Sequence, residues 1–344
     1  MYDKTIIFWV EASQMVATGH FMESLALAKA FKNKSINVHF IINRYEPVEA
    51  KLFSANITFS IFEIDDVDKV ISFINDHFND TVIIINHRNI QLYCMEKLKS
   101  ENHFLVVIDQ LGNKKIICDI LINSSIISDW LEYDFIENLP TCLFGPDFTI
   151  LRDEFLKLNK IEKRFENDFP IVLVTMGGVD RTGATLRIVK ALKSLNISSY
   201  KKIVIGKGFA HTNELKVLLN SKGFKTFQLY QNINDLGEKM SKADIVISAG
   251  GNTVSELACV GTPGLILWED LHEKIQGEEF EKEGIVINLG NGLKTDLRKI
   301  IFNIELLLLD IKKRKSMSNA GKKLIDGRGV ERIINKITEH QISN

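Results

Sequence analysis

Short runs of consecutive apolar residues alternate along the chain with segments in which an apolar residue recurs every three or four positions. Recurrence at that spacing, as in the segments that begin at Phe21 and Leu186, is typical of helices with one buried face. Nearly continuous apolar runs are typical of parallel strands that are covered on both faces. The alternation of the two therefore predicts an α/β protein with parallel sheets. The predicted strands are Thr5–Val10, Val38–Ile42, Val82–Ile85, Leu105–Ile108, Ile120–Ile122, Ile171–Thr175, Lys202–Ile205, Ile245–Ser248, Gly264–Leu267 and Ile285–Leu289.

The alternation occurs twice, which indicates two domains. It runs to about residue 150, is interrupted by a charged stretch and starts again at Pro170. A chain of 344 residues is also longer than one hydrophobic core usually serves. We therefore expect two doubly wound domains, with a charged C-terminal end able to fold back across the hinge. The predicted segments are an N-terminal domain over 1–155, a linker over 156–169, a C-terminal domain over 170–325 and a helix over 326–344.

The balance of charge narrows the classes of ligand. Lysine and arginine together number 43 and aspartate and glutamate 44, which gives a net charge of −1. This excludes the basic surface on which nucleic-acid binding depends and electrostatic docking on an anionic membrane. No stretch approaches the roughly 18 consecutive apolar residues of a membrane span, so we expect no stable membrane insertion. An anionic substrate must therefore be held locally, by backbone amides and helix N-termini.

The cysteines and histidines predict no metal site. Cys94, Cys118, Cys142 and Cys259 include no C-x-x-C pair and no zinc spacing, and the eight histidines show no paired ligand spacing. We expect reduced thiols, buried in the core of a cytoplasmic protein, and neither a metal nor another cofactor.

The first strand-to-helix junction carries a candidate catalytic residue. Ligands of doubly wound sheets bind beyond the carboxyl ends of the strands, and here Thr18 and Gly19 permit a tight turn before a helix. His20 would lie on the first turn of that helix, where the positive end of the helix dipole favours a neutral imidazole able to act as a general base. A structural histidine that bonds its neighbours is the alternative.

Two glycine-rich junctions in the second half predict a phosphate site. Gly177 and Gly178 follow one strand and permit a close approach of the backbone to a ligand, although a plain strand-to-helix turn has the same pattern. Asp180 or Thr182 is able to cap the helix that follows.

The strongest pattern follows the strand that ends at Ser248. Gly250 and Gly251 are succeeded by Asn252 and Thr253 at a helix start, an arrangement whose amides form a small nest for a pyrophosphate. One turn into that helix, Glu256 is able to accept hydrogen bonds from both hydroxyls of a ribose, and a carboxylate that only satisfies the helix dipole is the alternative. The pattern is neither the G-x-G-x-x-G fingerprint nor a Walker loop.

These loops and several other segments resemble one enzyme family, the UDP-sugar hydrolase of pseudaminic acid biosynthesis. The family's G-T-G-H-x-M-R-x-L-x-L-A segment is similar to T-G-H-F-M-E-S-L-A-L-A, which begins at Thr18. The likeness spans nearly the whole chain, and its segments together are far more specific than any one loop. The other matching segments are 106–109 (V-V-I-D), 118–123 (C-D-I-L-I-N), 144–155 (F-G-P-D-F-T-I-L-R-D-E-F), 176–180 (M-G-G-V-D), 248–257 (S-A-G-G-N-T-V-S-E-L) and 326–332 (D-G-R-G-V-E-R).

The resemblance implies the glycosyltransferase B fold, in which two Rossmann-like domains face a cleft, because the family is similar in turn to the peptidoglycan N-acetylglucosaminyltransferase. It implies that His20 activates the water that attacks the anomeric carbon, and that the C-terminal domain holds UDP. The residues implied in UDP-sugar binding are Gly19, Gly177 and Gly178, Asn232 and Ile233 at the uracil, Gly250, Gly251, Asn252 and Thr253 at the diphosphate, Glu256 at the ribose, and His272 and Glu273 on the sugar side.

The chain departs from the family pattern on the side expected to face the sugar. Trp9 and Glu23 stand where the family has arginines, and N-H-R from Asn86 stands where it has D-H-Y or D-S-Y. His272-Glu273 replaces an Asn-Gln pair. At Glu23 a hydrogen-bond donor, arginine, is replaced by a hydrogen-bond acceptor, which changes the sugar or the acceptor substrate that is tolerated. The alternative is that the Glu23 side chain points to solvent. The sequence thus predicts a UDP-sugar without fixing which sugar.

The sequence predicts a metal-independent hydrolase that releases UDP and a free amino-deoxy sugar, as in the biosynthesis of nonulosonic acids for surface polysaccharides or flagellin. A UDP-sugar glycosyltransferase of the same fold and a nucleotide-sugar binding protein without turnover are the alternatives. The expected partner is the UDP-sugar alone, with no nucleic acid, and the oligomeric state stays open.

Overall fold

The computed structural model describes residues 5–11, 19–63, 66–88 and 90–342. It divides into two compact units, one made of Met1–Arg152 with Arg328–Asn344 and the other of Asp153–Gly327. Thr18, half of the turn predicted before the first helix, lies outside the described residues.

The first unit alternates strands and helices, as the apolar pattern predicts. The residues of its first strand are all buried, because helices cover both faces of the sheet. Two short 3₁₀ turns, Ser128–Trp130 and Pro146–Phe148, follow the last helix of this part. The elements are β1 (Ile6–Val10), α1 (Gly19–Asn33), β2 (Val38–Ile42), α2 (Glu46–Ser54), β3 (Thr58–Ile61), α3 (Val67–His77), β4 (Val82–Asn86), α4 (Leu92–Ser100), β5 (Phe104–Ile108), β6 (Lys114–Ile116), β7 (Ile120–Asn123), β8 (Tyr133–Phe135) and β9 (Thr141–Phe144).

Strand order gives the first unit a topological switch point between β1 and β4. Within the described residues its parallel sheet has seven strands, in the order β3-β2-β1-β4-β5-β7-β9. The direction of winding reverses between β1 and β4, where Val10 pairs with Asn86. Loops leave such a switch point on opposite sides, and ligands of doubly wound sheets bind there. The short parallel ladder of β6 and β8 lies outside this sheet.

The second unit repeats the design with the strand order of dinucleotide-binding Rossmann sheets. Its parallel sheet runs β12-β11-β10-β13-β14-β15, and the winding reverses between β10 and β13, where Thr175 pairs with Ser248. The elements are α5 (Asp153–Asn159), β10 (Ile171–Thr175), α6 (Ala184–Lys193), β11 (Tyr200–Ile205), α7 (Thr212–Leu219), β12 (Phe227–Gln231), α8 (Leu236–Lys242), β13 (Ile245–Ser248), α9 (Thr253–Val260), β14 (Gly264–Trp268), α10 (Leu271–Lys282), β15 (Val286–Asn291), α11 (Leu297–Leu309) and α12 (Ile311–Leu324).

The last helix, α13 (Gly329–Ile342), returns to the first unit. Ile333 and Ile334 are buried in the same core cluster as Phe8 of β1. A Cβ placed on Gly329 would lie 2.2 Å from the Thr149 carbonyl oxygen, so only glycine allows the helix to start this close to the preceding chain.

The charged stretch 156–169, expected to be a linker, belongs to the second unit. Phe165 is buried there. Lys163 Nζ donates to the Ser241 carbonyl at 2.8 Å and the Thr262 hydroxyl at 2.7 Å, and burial lowers its pKa to about 7. The stretch is therefore ordered by contacts that its charged composition does not suggest.

The ten predicted strands are all present, and the strands that sequence reasoning missed lie at sheet edges or outside the main sheets. β3, β9 and β12 are edge strands, and β6 and β8 form the separate ladder. An edge strand is covered on fewer sides, so its residues need not be apolar; none of the residues of β3 is buried. These strands lack the continuous apolar run that predicted the others.

Cys142 corrects the expectation of buried thiols. It is exposed, whereas Cys94, Cys118 and Cys259 are buried, and all four cysteines are free. Within the described residues, no helix combines the length and apolarity needed to cross a membrane.

Candidate functional site

The first unit brings His20 to the switch point of its sheet. α1 begins at Gly19, so His20 lies on the first turn of the helix, where it is half-buried. Its Nδ1 lies 2.9 Å from Oδ1 of Asn86, the last residue of β4. Asn86 Nδ2 in turn donates to the His20 carbonyl oxygen at 3.0 Å. Two residues 66 positions apart are thus joined through both side chain and main chain.

The hydrogen bonds of Asn86 decide which nitrogen of His20 carries the proton. Besides the histidine carbonyl, Asn86 Nδ2 faces the Ser24 hydroxyl at 3.2 Å and the Glu23 carboxylate at 3.5 Å. Three acceptors around one NH₂ group assign the orientation of the amide. Its Oδ1 can only accept, so the neutral ring of His20 carries its hydrogen on Nδ1. The lone pair lies on Nε2, which is the nitrogen able to take a proton from a nucleophile.

Glu23 does not point to solvent, which was one of two interpretations of this residue. Only 9% of it is exposed. Its Oε1 accepts a hydrogen bond from Gln110 Nε2 at 3.1 Å, and its Oε2 faces Asn86. A carboxylate in contact with two side-chain amides therefore stands in the hydrogen-bond network around His20, where the resembled family has an arginine.

A second acid and histidine meet just beyond the ends of β1 and β4. Glu11 is buried, and its Oε2 lies 3.5 Å from His87 Nδ1, without a hydrogen-bond partner in the described part of the chain. Burial lowers the pKa of His87, the Glu11 carboxylate opposes this, and His20 and Lys114 lower it further. Trp9 packs edge-on against the His87 ring, with centroids 6.2 Å apart. The pair is thus a buried carboxylate beside an imidazole that burial favours as neutral.

In the second unit, the loop after β10 holds Gly177 and Gly178. Gly177 has φ of +80°, in the left-handed region that favours glycine. A Cβ on either residue would meet no described atom within 4 Å, so the space beside this backbone is open. Gly183 is at the N-cap position of α6, and the carboxylate of Asp180 accepts from the first N–H groups of the helix, those of Ala184 and Thr185, each at 2.9 Å.

The loop after β13 leads directly into α9. Gly250 and Gly251 follow the strand, Asn252 precedes the helix and Thr253 is its first residue. The first N–H groups of a helix have no partner within it, so this loop presents amides at the switch point of the sheet. A Cβ on Gly250 would lie 2.8 Å from the main-chain oxygen of Glu273, which restricts this position to glycine.

The other nucleotide-side candidates are also on the second unit. Glu256 is half-buried, one turn into α9. Asn232 follows β12, is exposed and has φ of +54°, and its N–H donates to the Ile205 carbonyl at the end of β11. Ile233 is half-buried.

His272 and Glu273 lie on the first turn of α10. Asp270 caps this helix by accepting from the Glu273 N–H at 2.9 Å. Glu273 Oε2 accepts from the Glu269 N–H at 2.8 Å, and its Oε1 lies 3.3 Å from the position that a Cβ on Gly251 would take. His272 Nε2 is buried and has no hydrogen-bond partner among the described residues. Glu273 therefore connects α10 to the loop in front of α9.

The electrostatics of Glu273 differ from those of a surface carboxylate. Burial raises its pKa to about 7; the Glu269 and Gly250 N–H groups oppose this, and the charges of Asp270 and Glu269 add to it. The pKa of Glu269 is raised as well, chiefly by burial. Near neutral pH, Glu273 thus exchanges between its neutral and its charged form.

Sequence reasoning did not identify the partners that complete these clusters. Asn86 was noted only as a departure from the resembled family, and Glu11, Gln110 and Glu269 were not singled out as site residues. Glu11 and Asn86 do carry a signal, since both are polar residues at the carboxyl end of a predicted strand, where ligands of doubly wound sheets bind. That signal locates a contact only when the neighbouring strand is known.

Residues 171–333 match the model of the glycosyltransferase family 28 C-terminal domain. The match starts with β10 and includes every candidate residue of the second unit. The spore coat polysaccharide biosynthesis protein SpsG of Bacillus subtilis is 24% identical over 241 residues, which are 70% of this chain and 70% of that protein.

Solved structures share the whole architecture at low sequence identity. MurG of Acinetobacter baumannii has a TM-score of 0.71 and 12% identity, with 98% of this chain and 99% of that one covered. Anabaena Alr3699/HepE in complex with UDP has a TM-score of 0.66 and 13% identity, with 99% and 100% covered. Likeness at such identities concerns the fold alone.

The chain therefore has the fold of B-type glycosyltransferases, a parallel α/β architecture with two sheets. None of these comparisons supports the pseudaminic acid hydrolase in particular, and they favour sugar transfer, the alternative drawn from the sequence, over hydrolysis.

Proposed function

We propose that the protein is a glycosyltransferase that uses a UDP-activated sugar. The observation that carries the proposal is the position of the Gly250–Thr253 loop. It lies at the switch point of a Rossmann-ordered sheet, within the segment that matches the family 28 C-terminal domain. The fold relative Alr3699/HepE binds UDP, and the name of SpsG links a sequence relative to polysaccharide biosynthesis.

In this proposal the second unit binds the nucleotide. The amides of Gly250 to Thr253 and the dipole of α9 hold the diphosphate, which is the leaving group and gains charge as the sugar departs. Glu256 accepts from the ribose hydroxyls, and the segment of Asn232 and Ile233 holds the uracil. The open space beside Gly177 and Gly178 supports a close approach of ligand to backbone.

His20 of the first unit is proposed as the general base. Its Nε2 takes the proton of the attacking hydroxyl as that oxygen bonds to the anomeric carbon, and the bond from this carbon to the diphosphate breaks. Asn86 positions the ring, because its Oδ1 accepts the Nδ1 hydrogen and leaves Nε2 as the basic nitrogen. Asn86 does not itself touch the reacting atoms.

The test is UDP release from UDP-hexoses, with and without a panel of carbohydrate and lipid-linked acceptors. A transferase releases UDP only when the matching acceptor is present, and the sugar appears on that acceptor. His20→Ala is expected to lower the rate by about 10²–10⁴-fold, the usual contribution of a general base. An undiminished rate in His20→Ala refutes the role of that residue.

Hydrolysis is the second candidate, and it is favoured by the segments that resemble the UDP-sugar hydrolase of pseudaminic acid biosynthesis. The same Nε2 activates a water molecule as readily as a hydroxyl, so the two reactions use one base. UDP release at full rate from a UDP-diacetamido-trideoxyhexose without an acceptor would establish hydrolysis. UDP binding without turnover of any sugar tested would establish a binding protein.

A further inference from the structure

The carboxylate of Glu273 lies on the backbone that the proposed function gives to the diphosphate. A Cβ placed on Gly251 would lie 3.3 Å from its Oε1, and one placed on Gly250 would lie 2.9 Å from the Cβ of Glu273. The N–H of Gly250 favours the charged form of this carboxylate and so lowers its pKa. Carboxylates and phosphates are both anions that backbone amides bind. The anion nest of Gly250 and Gly251 thus lies beside a carboxylate of the same unit.

Capping of α10 does not explain this contact. The cap is complete when Asp270 accepts from the Glu273 N–H and Glu273 Oε2 accepts from the Glu269 N–H. Gly250 and Gly251, which lie beside its carboxylate, belong to a different loop, the one between β13 and α9. The carboxylate therefore brings the start of one helix against the loop in front of another.

The charges around Glu273 make its ionised form a poor neighbour for a phosphate. The titratable groups that act on it are the carboxylates of Glu269 and Asp270, and both disfavour further negative charge. From the loop after β10, Asp180 and Arg181 act with opposite signs on Glu269. A diphosphate that entered beside an ionised Glu273 would meet like charge in a partly buried setting, where screening by water is weak. Protonation of Glu273 removes that repulsion and weakens its electrostatic attraction to the Gly250 amide.

Resting on the proposed function, we propose that Glu273 is an internal competitor for the Gly250–Gly251 nest, so that a nucleotide diphosphate binds well only when this carboxylate has taken up a proton. Nucleotide affinity should then fall as the pH rises. The position of the equilibrium near pH 7 makes the effect measurable under ordinary conditions.

The test is the affinity of the full chain for UDP-N-acetylglucosamine, measured by calorimetry between about pH 6 and about pH 8. The diphosphate of this probe joins two esters and keeps a constant charge over that range. We expect the dissociation constant of the wild-type protein to rise about tenfold, in proportion to the loss of the protonated fraction. For Glu273→Gln and Glu273→Ala, the dissociation constant should change less than about twofold over the same pH range. At the upper pH both variants should bind the probe more tightly than the wild type does.

Glu269→Gln is the matched control. It removes a neighbouring carboxylate that raises the pKa of Glu273 but does not occupy the nest. The pH dependence of binding should therefore persist, with its midpoint at lower pH.

A second measurement does not involve the nucleotide. In ligand-free protein, the amide resonance of Gly250 should titrate with a midpoint near 7, and Glu273→Gln should abolish that titration. The inference is wrong if the Gly250 amide resonance does not change with pH, or if the wild type and Glu273→Gln show the same pH dependence of binding. The proposed function is compatible with both of these results. Absence of binding to UDP-, dTDP- and GDP-linked hexoses in every variant and at every pH overturns the proposed function, and the inference with it.

Discussion

The side chain of Asn86 makes two hydrogen bonds to His20: its Oδ1 accepts from Nδ1 of the ring, and its Nδ2 donates to the main-chain carbonyl oxygen. The contact at Nδ1 is 2.9 Å and the one at the carbonyl is 3.0 Å. A single amide thus fixes both the tautomer of the histidine and the first turn of the helix that carries it. The structural consequence is that the neutral ring carries its hydrogen on Nδ1 and its lone pair on Nε2.

Removal of the Asn86 amide should impair catalysis more than binding. Asn86→Ala loses a hydrogen bond to a ring that becomes charged in the reaction, worth about 1.5–3 kcal/mol, so we expect kcat to fall about 10–100-fold with KM nearly unchanged. Steady-state kinetics of UDP release checks this. The matched control is Asn75→Ala, which removes the Oδ1 that lies 3.1 Å from Nε2 of His103, a buried histidine of the same unit. Equal losses of kcat in the two variants would contradict a positioning role.

Gly178 offers a way to test close approach of a ligand without disturbing the fold. A Cβ there would meet no described atom and no strained φ, so Gly178→Ala should change the free energy of unfolding by less than about 0.5 kcal/mol. A nucleotide that uses this space should bind at least about tenfold more weakly, since a 1.4 kcal/mol loss gives that factor. Gly177→Ala, at φ of +80°, should instead lower stability by about 1 kcal/mol or more. Calorimetry and urea unfolding separate the two effects, and undiminished binding in Gly178→Ala excludes the approach.

The proposed contact of Glu256 with the ribose predicts a loss of discrimination. The wild type should prefer UDP to 2′-deoxy-UDP by about 10–100-fold, the range for hydrogen bonds to a charged acceptor, and Glu256→Ala should bind both about equally. Competition binding measures the four affinities. Glu238→Ala, which removes an exposed acid of the same unit that pairs with Lys242, should keep the preference. A wild type that binds the two nucleotides alike refutes the ribose contact.

The raised pKa of Glu273 also predicts the pH dependence of stability. A carboxyl whose folded pKa is about 7, above the ordinary 4.5, contributes stability that is present below pH 4.5 and lost as the pH rises through 7. Relative to the wild type, Glu273→Gln should therefore gain about 1–3 kcal/mol in the free energy of unfolding across that range. Urea unfolding at several pH values checks this. Glu278→Gln, which alters an exposed ion pair on the same helix, should stay within about 0.5 kcal/mol throughout.

Much of the fold is predictable because each buried strand is a continuous run of apolar residues in the sequence. β2, β10 and β13 have the bounds that their apolar runs predict, since a strand covered on both faces must be apolar along its length. The edge strands β3 and β12 are only partly covered, and no local pattern distinguishes them. The exposure of Cys142 was not predictable for the same reason, because this residue lies on the edge strand β9.

The candidate site also has a part that the sequence predicts and a part that it does not. Glycines, a helix start and a nearby histidine are local patterns, and the sequence places Gly250, Gly251 and His20 on the correct junctions. Their partners are distant in sequence: Asn86 lies 66 residues from His20, and Glu273 reaches Gly250 from another helix. Glu23, read from sequence as either solvent-facing or functional, is buried by contacts that no spacing rule foresees.

By itself, the sequence determined two parallel α/β repeats and a set of amide-rich loops, because burial and turn chemistry act on neighbouring residues. Tertiary structure alone decided which strands lie side by side at each switch point, and so which polar side chains meet there. That choice set the tautomer of His20 and placed the carboxylate of Glu273 on the nest. Both depend on distances across the fold, and the energy of a hydrogen bond or a buried charge exists only once those distances are set.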